Sequence, residues 1–431
     1  MIQNVREVGQ RGLLIEVGAE RDRPSLSAHL HEHPLAGQVE VIPGTRTVLV
    51  DFRRRRDAQA AVKQAKKLKV RRRKTAELRA DAAEAATPQI REVPKSYAQS
   101  PVLDDREAVV EVLRAVQDGG VLLQDTGRYG FGAQGVGRSG TVDRAAGLQA
   151  NRLVGNDDSA AVFEVRGQFS VRICQTSILA VTGAEVALEV ITEEPVPISR
   201  GAGEMARTSS RSRVAPMRAP FWVFPGEVLH LGSPSHGVHS YVGVSGGLDA
   251  PLHLGSASTD TSAGIGPEPV RPGQRFALLG AASRFVGIAS VAPTPLPPVD
   301  GATVLRYVPG PRAEHFGTRR ASSAGLLRLE GQPWEVLADA SRLGLTLEGD
   351  DPVRRTQEDE LPAEPVMRGA ICIPASGHPH IALAEHPVTS SDPTLGVVVR
   401  EDLALAAQLR SGAEVRFQAV DPETLGAIRT R

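Results

Sequence analysis

The chain has 431 residues, 41% hydrophobic and 23% charged, with 50 acidic and 50 basic side chains and a formal net charge of zero. This composition suits a globular protein of two or three domains. No run approaches the roughly 20 apolar residues of a bilayer-spanning helix, "MIQNVREVGQRG" lacks the apolar core of a secretion signal, and Cys174 and Cys372 alone make neither a disulfide framework nor a metal motif, so a reducing cytoplasm is the expected compartment.

Residues 1–52 read as a small α+β module. "GLLIEVG" (12–18) and "QVEVIPGTRTVLVDF" (38–52) give three short strands, and "RPSLSAHLHEHPL" (23–35) gives a helix between them. His29 and His33 stand one helical turn apart, a spacing zinc can use, but no third ligand accompanies them. Residues 53–107 form a basic linker. Their Ala-, Lys- and Arg-rich part, 53–88, predicts one long helix. Arg53–Arg56 and Arg71–Arg73 could meet phosphates, but no aromatic side chain is there to stack on bases, so a solvated helix is expected rather than a nucleic-acid site. Every lysine of the chain falls between Lys63 and Lys95. The region after it therefore has no P-loop, Schiff-base or biotin-bearing lysine. Any nucleotide there must be held by arginines and backbone N–H groups.

From Val121 onward the chain is short apolar runs cut by Gly and Pro, which predicts antiparallel sandwich or barrel domains at 108–290 and 300–431. "VAPTPLPPVDG" (291–301) separates them. Helical patterns are confined to about 142–154, 312–320 and 401–410, and "MARTSSRSRVAP" (205–216) reads as a mobile loop.

The densest glycine run, "VLLQDTGRYGFGAQGVGRSGTVDRAAGLQANRLVG" (121–155), contains two overlapping G-x-G-x-x-G patterns with Glu164 downstream. A dinucleotide turn is disfavoured on three grounds. The connection is too long, charged residues stand where a pyrophosphate would approach the backbone, and no alternation of strand and helix follows. Such a run instead suits a loop that presents backbone N–H groups to an anion or oxyanion. Gln124, Asp125, Arg128, Ser139 and Asp143 are interleaved with the glycines and are the candidate site residues, with helix capping as the other reading of Asp143.

These residues also carry a resemblance. "QDTGRYG" (124–130), "GVGRSGTVD" (135–143) and "ANRLVGN" (150–156) resemble the opening of the allophanate hydrolase subunit 2 family, also called the C-subunit of 5-oxoprolinase, the Kip antagonist, or the biotin-dependent carboxyltransferase-like domain. "VTGA" (181–184), "YVGVSGGLD" (241–249), "LGSASTD" (254–260), "VPGPRAEHF" (308–316), "SRLGLTLEG" (341–349) and "GAICIPASGHPHIALAE" (369–385) follow in the family's order. "REVGQRGLLIEVG" and "LAGQVEVIPGTRTVLVDF" resemble the start of the companion protein, allophanate hydrolase subunit 1, which is also the B-subunit of 5-oxoprolinase or Kip inhibitor. Its second domain is represented here only by "REVPKSYAQSPVLDD" (91–105). The chain thus reads as a fusion with an internal deletion.

The resemblance implies a mainly β fold with an α+β N-terminal module and two cyclophilin-like β-barrel halves. It implies a hydrolase subunit that uses ATP with a partner to open 5-oxoproline to glutamate. Asp125, Arg128, Ser139, Asp143 and Glu385 would be the catalytic set, and Gln124, Gly135, Gly140, Asn151, Arg342 and Thr389 would bind substrate. No metal is implied, and no biotin is attached to this chain. The expected partners are a protein like the A-subunit of 5-oxoprolinase or a biotin carboxylase-type partner, with a small amide or lactam as substrate. A homo-oligomer stays open, and neither membrane nor nucleic acid is expected. Two alternatives stand beside this one: a Kip-type regulator that binds a kinase, and a carboxyltransferase of a urea-type biotin-dependent carboxylase. One stretch departs from the family. "EHPVTSSDP" (385–393) keeps an acid and the Thr389 hydroxyl but loses the glutamine, glycines and tyrosine usual there.

Overall fold

The structure, a computed structural model, describes residues 2–73, 109–116, 120–195, 208–280, 286, 291–317, 324–356 and 361–428. The chain forms two compact units. One comprises Met1–Glu92, Arg128–Arg138 and Pro297–Arg431; the other comprises Val93–Gly127 and Ser139–Leu296.

The first unit begins with a four-stranded antiparallel sheet built from β1 (Ile2–Val8), β2 (Gly12–Val17), β3 (Gln38–Pro43) and β4 (Thr47–Phe52), in the order β1-β2-β4-β3. Helices α1 (Arg23–Glu32) and α2 (Arg55–Ala65) cover one face, where Leu13, Ile15, Val48, Val50 and Phe52 pack with Leu26, Leu30, Ala58 and Ala61. On the other face Val8, Leu14, Ile42 and Leu49 pack against Val397, Met367 and Val388. Burial of both faces explains why "GLLIEV" is apolar almost without a break, where a sheet with one wet face would alternate.

The long helix expected over 53–88 stops at Ala65. Residues 68–73 run back irregularly, and Arg72 and Arg73 bond Asp22, Ser25 and Glu32 around α1. These partners hold Arg72 and Arg73 against α1, while Arg53, Arg54, Arg56 and Arg71 stay exposed. The rest of the 53–88 prediction, and "REVPKSYAQSPVLDD", lie outside the described residues.

The second unit stacks two sheets on one core. Its strands are β5 (Val110–Ala115), β6 (Val121–Gln124), β7 (Val162–Val165), β8 (Phe169–Ile173), β9 (Ser177–Glu185), β10 (Leu188–Pro195), β11 (Thr208–Val214), β12 (Phe221–Val223), β13 (Val228–Leu231), β14 (His236–Val244) and β15 (Arg275–Phe276). One sheet runs β11-β10-β13-β8-β5-β15 and the other β12-β9-β14-β7-β6. Phe163, Phe169, Val112, Val171, Val181 and Val242 fill the space between them. Helix α3 (Arg144–Leu153) lies outside the five-stranded sheet, its Ala146 and Ala150 against Val162 and Tyr241. The expected loop at 205–216 is corrected: 208–214 pair along β10. An edge strand rich in Ser and Arg carries no apolar alternation to announce it.

The first unit is completed by a closed barrel of β16 (Thr303–Pro309), β17 (Trp334–Val336), β18 (Gly344–Glu348), β20 (Ala370–Cys372), β21 (His380–Ala382), β23 (Thr394–Val398) and β24 (Glu414–Ala419). A parallel β16–β24 pair closes it. A two-stranded ribbon of β19 (Glu364–Pro365) and β22 (Thr389–Ser390) stands beside it. Helix α4 (Ala324–Glu330) escaped the sequence reading. Of the predicted 312–320 helix, 318–320 lie outside the described residues and the rest holds a 3-10 turn at Ala313–Phe316; α5 (Leu403–Ala407) falls inside the predicted 401–410. The fold is mainly β with an α+β N-terminal module, as expected.

Candidate functional site

The glycine run is a loop between β6 and α3. Because β6 pairs antiparallel with β7, the parallel pair that a dinucleotide turn needs is absent here, and the G-x-G-x-x-G matches reflect glycine density. In the second unit the two ends of the loop meet: the Thr141 N–H donates to the Asp125 carbonyl at 3.0 Å. In the first unit the Arg128 N–H donates to the Arg138 carbonyl at 2.9 Å.

Asp125 is the hub of the second unit's part. Its Oδ1 accepts from the Gly127 N–H (2.7 Å), Ser256 Oγ (2.7 Å) and Ser258 Oγ (2.6 Å), and its Oδ2 accepts from the Ala257 N–H (2.7 Å). A buried carboxylate met by donors on both oxygens fixes the geometry around it. Chemically it is suited to organise "LGSASTD" against the loop. Beside it the Thr259 carbonyl accepts from both Gln124 Nε2 and Ser139 Oγ, each at 2.8 Å. Gln124 is fully buried, and its Oε1 has no partner among the described residues. Ser139 sits in the left-handed region at φ 52°, a strained conformation for a side-chain-bearing residue. Gly140, at φ 84°, lies so close to the Gly127 backbone that a Cβ would meet Gly127 N at 2.9 Å.

Asp143 caps α3: its carboxylate accepts from the Ala146 N–H at 3.0 Å. Its own N–H donates to Tyr241 Oη (2.8 Å), which donates to Glu164 Oε2 (2.9 Å), the acceptor also of the Val142 N–H (2.8 Å). Burial, then Glu164 and Asp143, push the Tyr241 hydroxyl well above its usual range, so it stays a donor. Asn151 is part of the far turn of α3, donating to the Ala160 carbonyl and accepting from Asn156. The second unit thus brings Gln124, Asp125, Ser139 and Gly140 together with Ser256, Ser258 and Thr259. Asp143 belongs to the adjoining network and Asn151 to neither.

The remaining candidates lie in the first unit. The Arg128 side chain is buried, while Gly135, at φ 82°, ends a 3-10 turn at the surface. Arg342 and Glu385 form a buried ion pair at 2.6 Å, and Thr389 is exposed on β22. His386 follows the pair. Burial, with Arg138, Arg368 and His380 also acting on it, lowers its imidazole to about 4, so it is neutral near pH 7. Sequence reading missed Arg138 and its partners. Arg138 Nη2 lies 2.5 Å from Glu40 and 2.7 Å from Asp51, and its guanidinium lies 4.7 Å from the centre of the Tyr129 ring.

Among the described residues no group of three or more His, Cys, Asp or Glu is placed to hold a metal; the His29 and His33 rings lie 4.9 Å apart without a third ligand. Arg138, Arg312 and Arg342 each face carboxylates. Among the described residues no helix is long and apolar enough to cross a membrane.

The family described as carboxyltransferase domain, subdomain A and B, matches residues 134–419, and that described as carboxyltransferase domain, subdomain C and D, matches 3–114. The C-subunit of 5-oxoprolinase from Escherichia coli is 29% identical over 299 residues, 68% of this chain and 86% of that protein. The urea amidolyase of Saccharomyces cerevisiae is 32% identical over 147 residues, 33% of this chain and 7% of that protein. The crystal structure of TTHA0988 superposes with a TM-score of 0.69 at 20% identity, covering 94% of this chain and 99% of that one, a likeness of fold.

Proposed function

The chain belongs to the carboxyltransferase domain, subdomain A and B, family, and from that premise we propose that it is a subunit of an ATP-dependent lactam-processing complex of the 5-oxoprolinase kind. It would act with a partner like the A-subunit of 5-oxoprolinase, in a cytoplasmic assembly that opens 5-oxoproline to glutamate. What carries this reading is the match to a 5-oxoprolinase C-subunit over 86% of that protein's length. The N-terminal module would then be the opening of the companion protein, joined here to the same chain.

In this reading the loop site holds the small lactam. The Gln124 amide oxygen is suited to accept from a ring N–H, and Asp125 keeps Ser256, Ser258 and the loop in register around it. ATP would be bound on the partner side, since Arg138, Arg312 and Arg342 are taken by carboxylates. The test mixes the full chain with its partner, ATP and 5-oxoproline. Glutamate and phosphate in equal amounts support the assignment; neither product, from a complex that assembles, overturns it.

The urea amidolyase relative favours a second reading, a carboxyltransferase that moves a carboxyl group from carboxylated biotin on another protein to a urea-type acceptor, releasing free biotin on its carrier. Transfer from a carboxylated biotin carrier, with no glutamate formed from 5-oxoproline, would select it over the first.

A further inference from the structure

Glu40 and Asp51 stand directly opposite each other on β3 and β4, on the sheet face that also carries Ile42 and Leu49. They are 4% and 3% exposed. Two acids paired across a sheet repel, and burial makes this worse, so a sheet does not keep such a pair without a cation between them. Arg138 supplies it. Its Nε and Nη2 reach Glu40 Oε2, each at 2.5 Å, and Nη2 reaches Asp51 Oδ2 at 2.7 Å. The remaining Glu40 oxygen accepts the Gly132 N–H at 2.9 Å. Gly132 itself lies so low on the sheet that a Cβ there would meet Ile42 Cγ1 at 2.8 Å and Glu40 Oε1 at 2.9 Å. Burial opposes the charge on Arg138, but Asp51 and Glu40 outweigh it and hold the guanidinium more firmly protonated than usual.

We infer that the N-terminal module is the platform of the glycine-rich loop, with Glu40 and Asp51 acting as positioning residues that fix residues 128–138 through Arg138 and Gly132. The acids lie in the stretch matched by the subdomain C and D family and the arginine in the stretch matched by the subdomain A and B family, so the triad couples the two matched regions within one chain. A module that served only as a tail would have no need of two buried acids on this face. The consequence for turnover rests on the proposed function; the consequence for the loop does not.

Hydrogen exchange on the full chain tests it. In the E40Q/D51N double variant, the loop amides that close on Phe131, Gly132 and Arg138 should exchange at least about tenfold faster than in the wild type, while the strands β1–β4 keep their protection. Gly132→Ala should do the same by lifting the loop sterically, with every charge in place, and it decides the matter if the double variant does not fold. Unchanged loop exchange in a folded variant, or equal loss of protection throughout the module, overturns the inference. In the glutamate-forming assay the same variants should raise KM for 5-oxoproline several-fold more than they lower kcat, with partial recovery in Arg138→Lys against Arg138→Met. A silent assay with the wild-type chain would count against the proposed function and leave the exchange result standing.

Discussion

Asp125, where the glycine-rich loop begins, and the Glu40–Asp51 pair, on which residues 128–138 rest, are all withdrawn from water, but their charge is answered differently. Asp125 has no cation among its described bonded partners; two backbone N–H groups and two serine hydroxyls supply four hydrogen bonds. Glu40 and Asp51 share one guanidinium, and Glu40 takes a backbone N–H as well. The first arrangement is local in charge and redundant in donors. The second depends on a single side chain 98 residues away in sequence from Glu40. Redundant neutral donors make a hub that tolerates the loss of one contact. A lone shared cation makes an anchor that fails all at once.

The largest effect that follows is at Arg138. Arg138→Met strands two buried carboxylates and should cost about 3–5 kcal/mol, read from urea unfolding of the full chain. A loss below about 1 kcal/mol would mean that the acids have another source of compensation. Next comes Asp125→Ala, which leaves the Gly127 and Ala257 N–H groups without an acceptor and should cost about 2–4 kcal/mol. Ser256→Ala or Ser258→Ala removes one donor to the carboxylate and also the acceptor of one backbone N–H, that of Ser258 or of Asp125, and should cost about 1–2 kcal/mol. If one serine proves as costly as the aspartate, the hub is not redundant.

The glycines divide in the same way. Gly140→Ala forces a Cβ against the Gly127 backbone as well as an unfavourable φ, and should cost about 2–3 kcal/mol. At Gly135, equally left-handed but with nothing within 4 Å of its Cβ position, the same change should cost only about 1 kcal/mol of backbone strain. Thermal melts of the pair check this, and equal shifts would show that φ alone matters.

The smallest effect concerns His386. In the folded chain its imidazole titrates at about 4, below the ordinary 6.5. Between these values the unfolded chain binds more protons, so this contribution is complete above pH 6.5 and is lost as the pH falls towards 4. His386→Gln should therefore flatten the decline in urea midpoint between about pH 7 and pH 5. An unchanged slope would place the titrating group elsewhere.

Local patterns carried much of this into the sequence. Asp143 ahead of "RAAGLQANRL" reads either as a site residue or as a helix cap, and its carboxylate caps α3. The apolar runs at 12–17 and 47–50 mark strands, and the glycine run announces a loop held in special conformations. The partners of these residues were not legible. Asp125 is bonded to serines more than 130 residues on, and the role of Glu40 as counter-charge to Arg138 exists only once β3 and β4 have aligned it with Asp51. No periodicity encodes contacts of that range. Alternation fails too where both faces or neither face is buried, which is why β11, with its serines and arginines, reads as a loop. Within the described part of 53–88 the helix ends at Ala65, because composition reports propensity alone, while Asp22, Ser25 and Glu32, distant in sequence, hold Arg72 and Arg73 against α1.

The most direct test of the account is a reconstitution in which the full chain and its A-type partner receive ATP and isotope-labelled 5-oxoproline, with the wild type and Arg138→Met compared side by side. Labelled glutamate and phosphate in equal amounts are expected from the wild type, with a several-fold rise in KM for 5-oxoproline in the variant. Phosphate and glutamate that form equally well without this chain, or no glutamate from an assembled wild-type complex, would contradict the account.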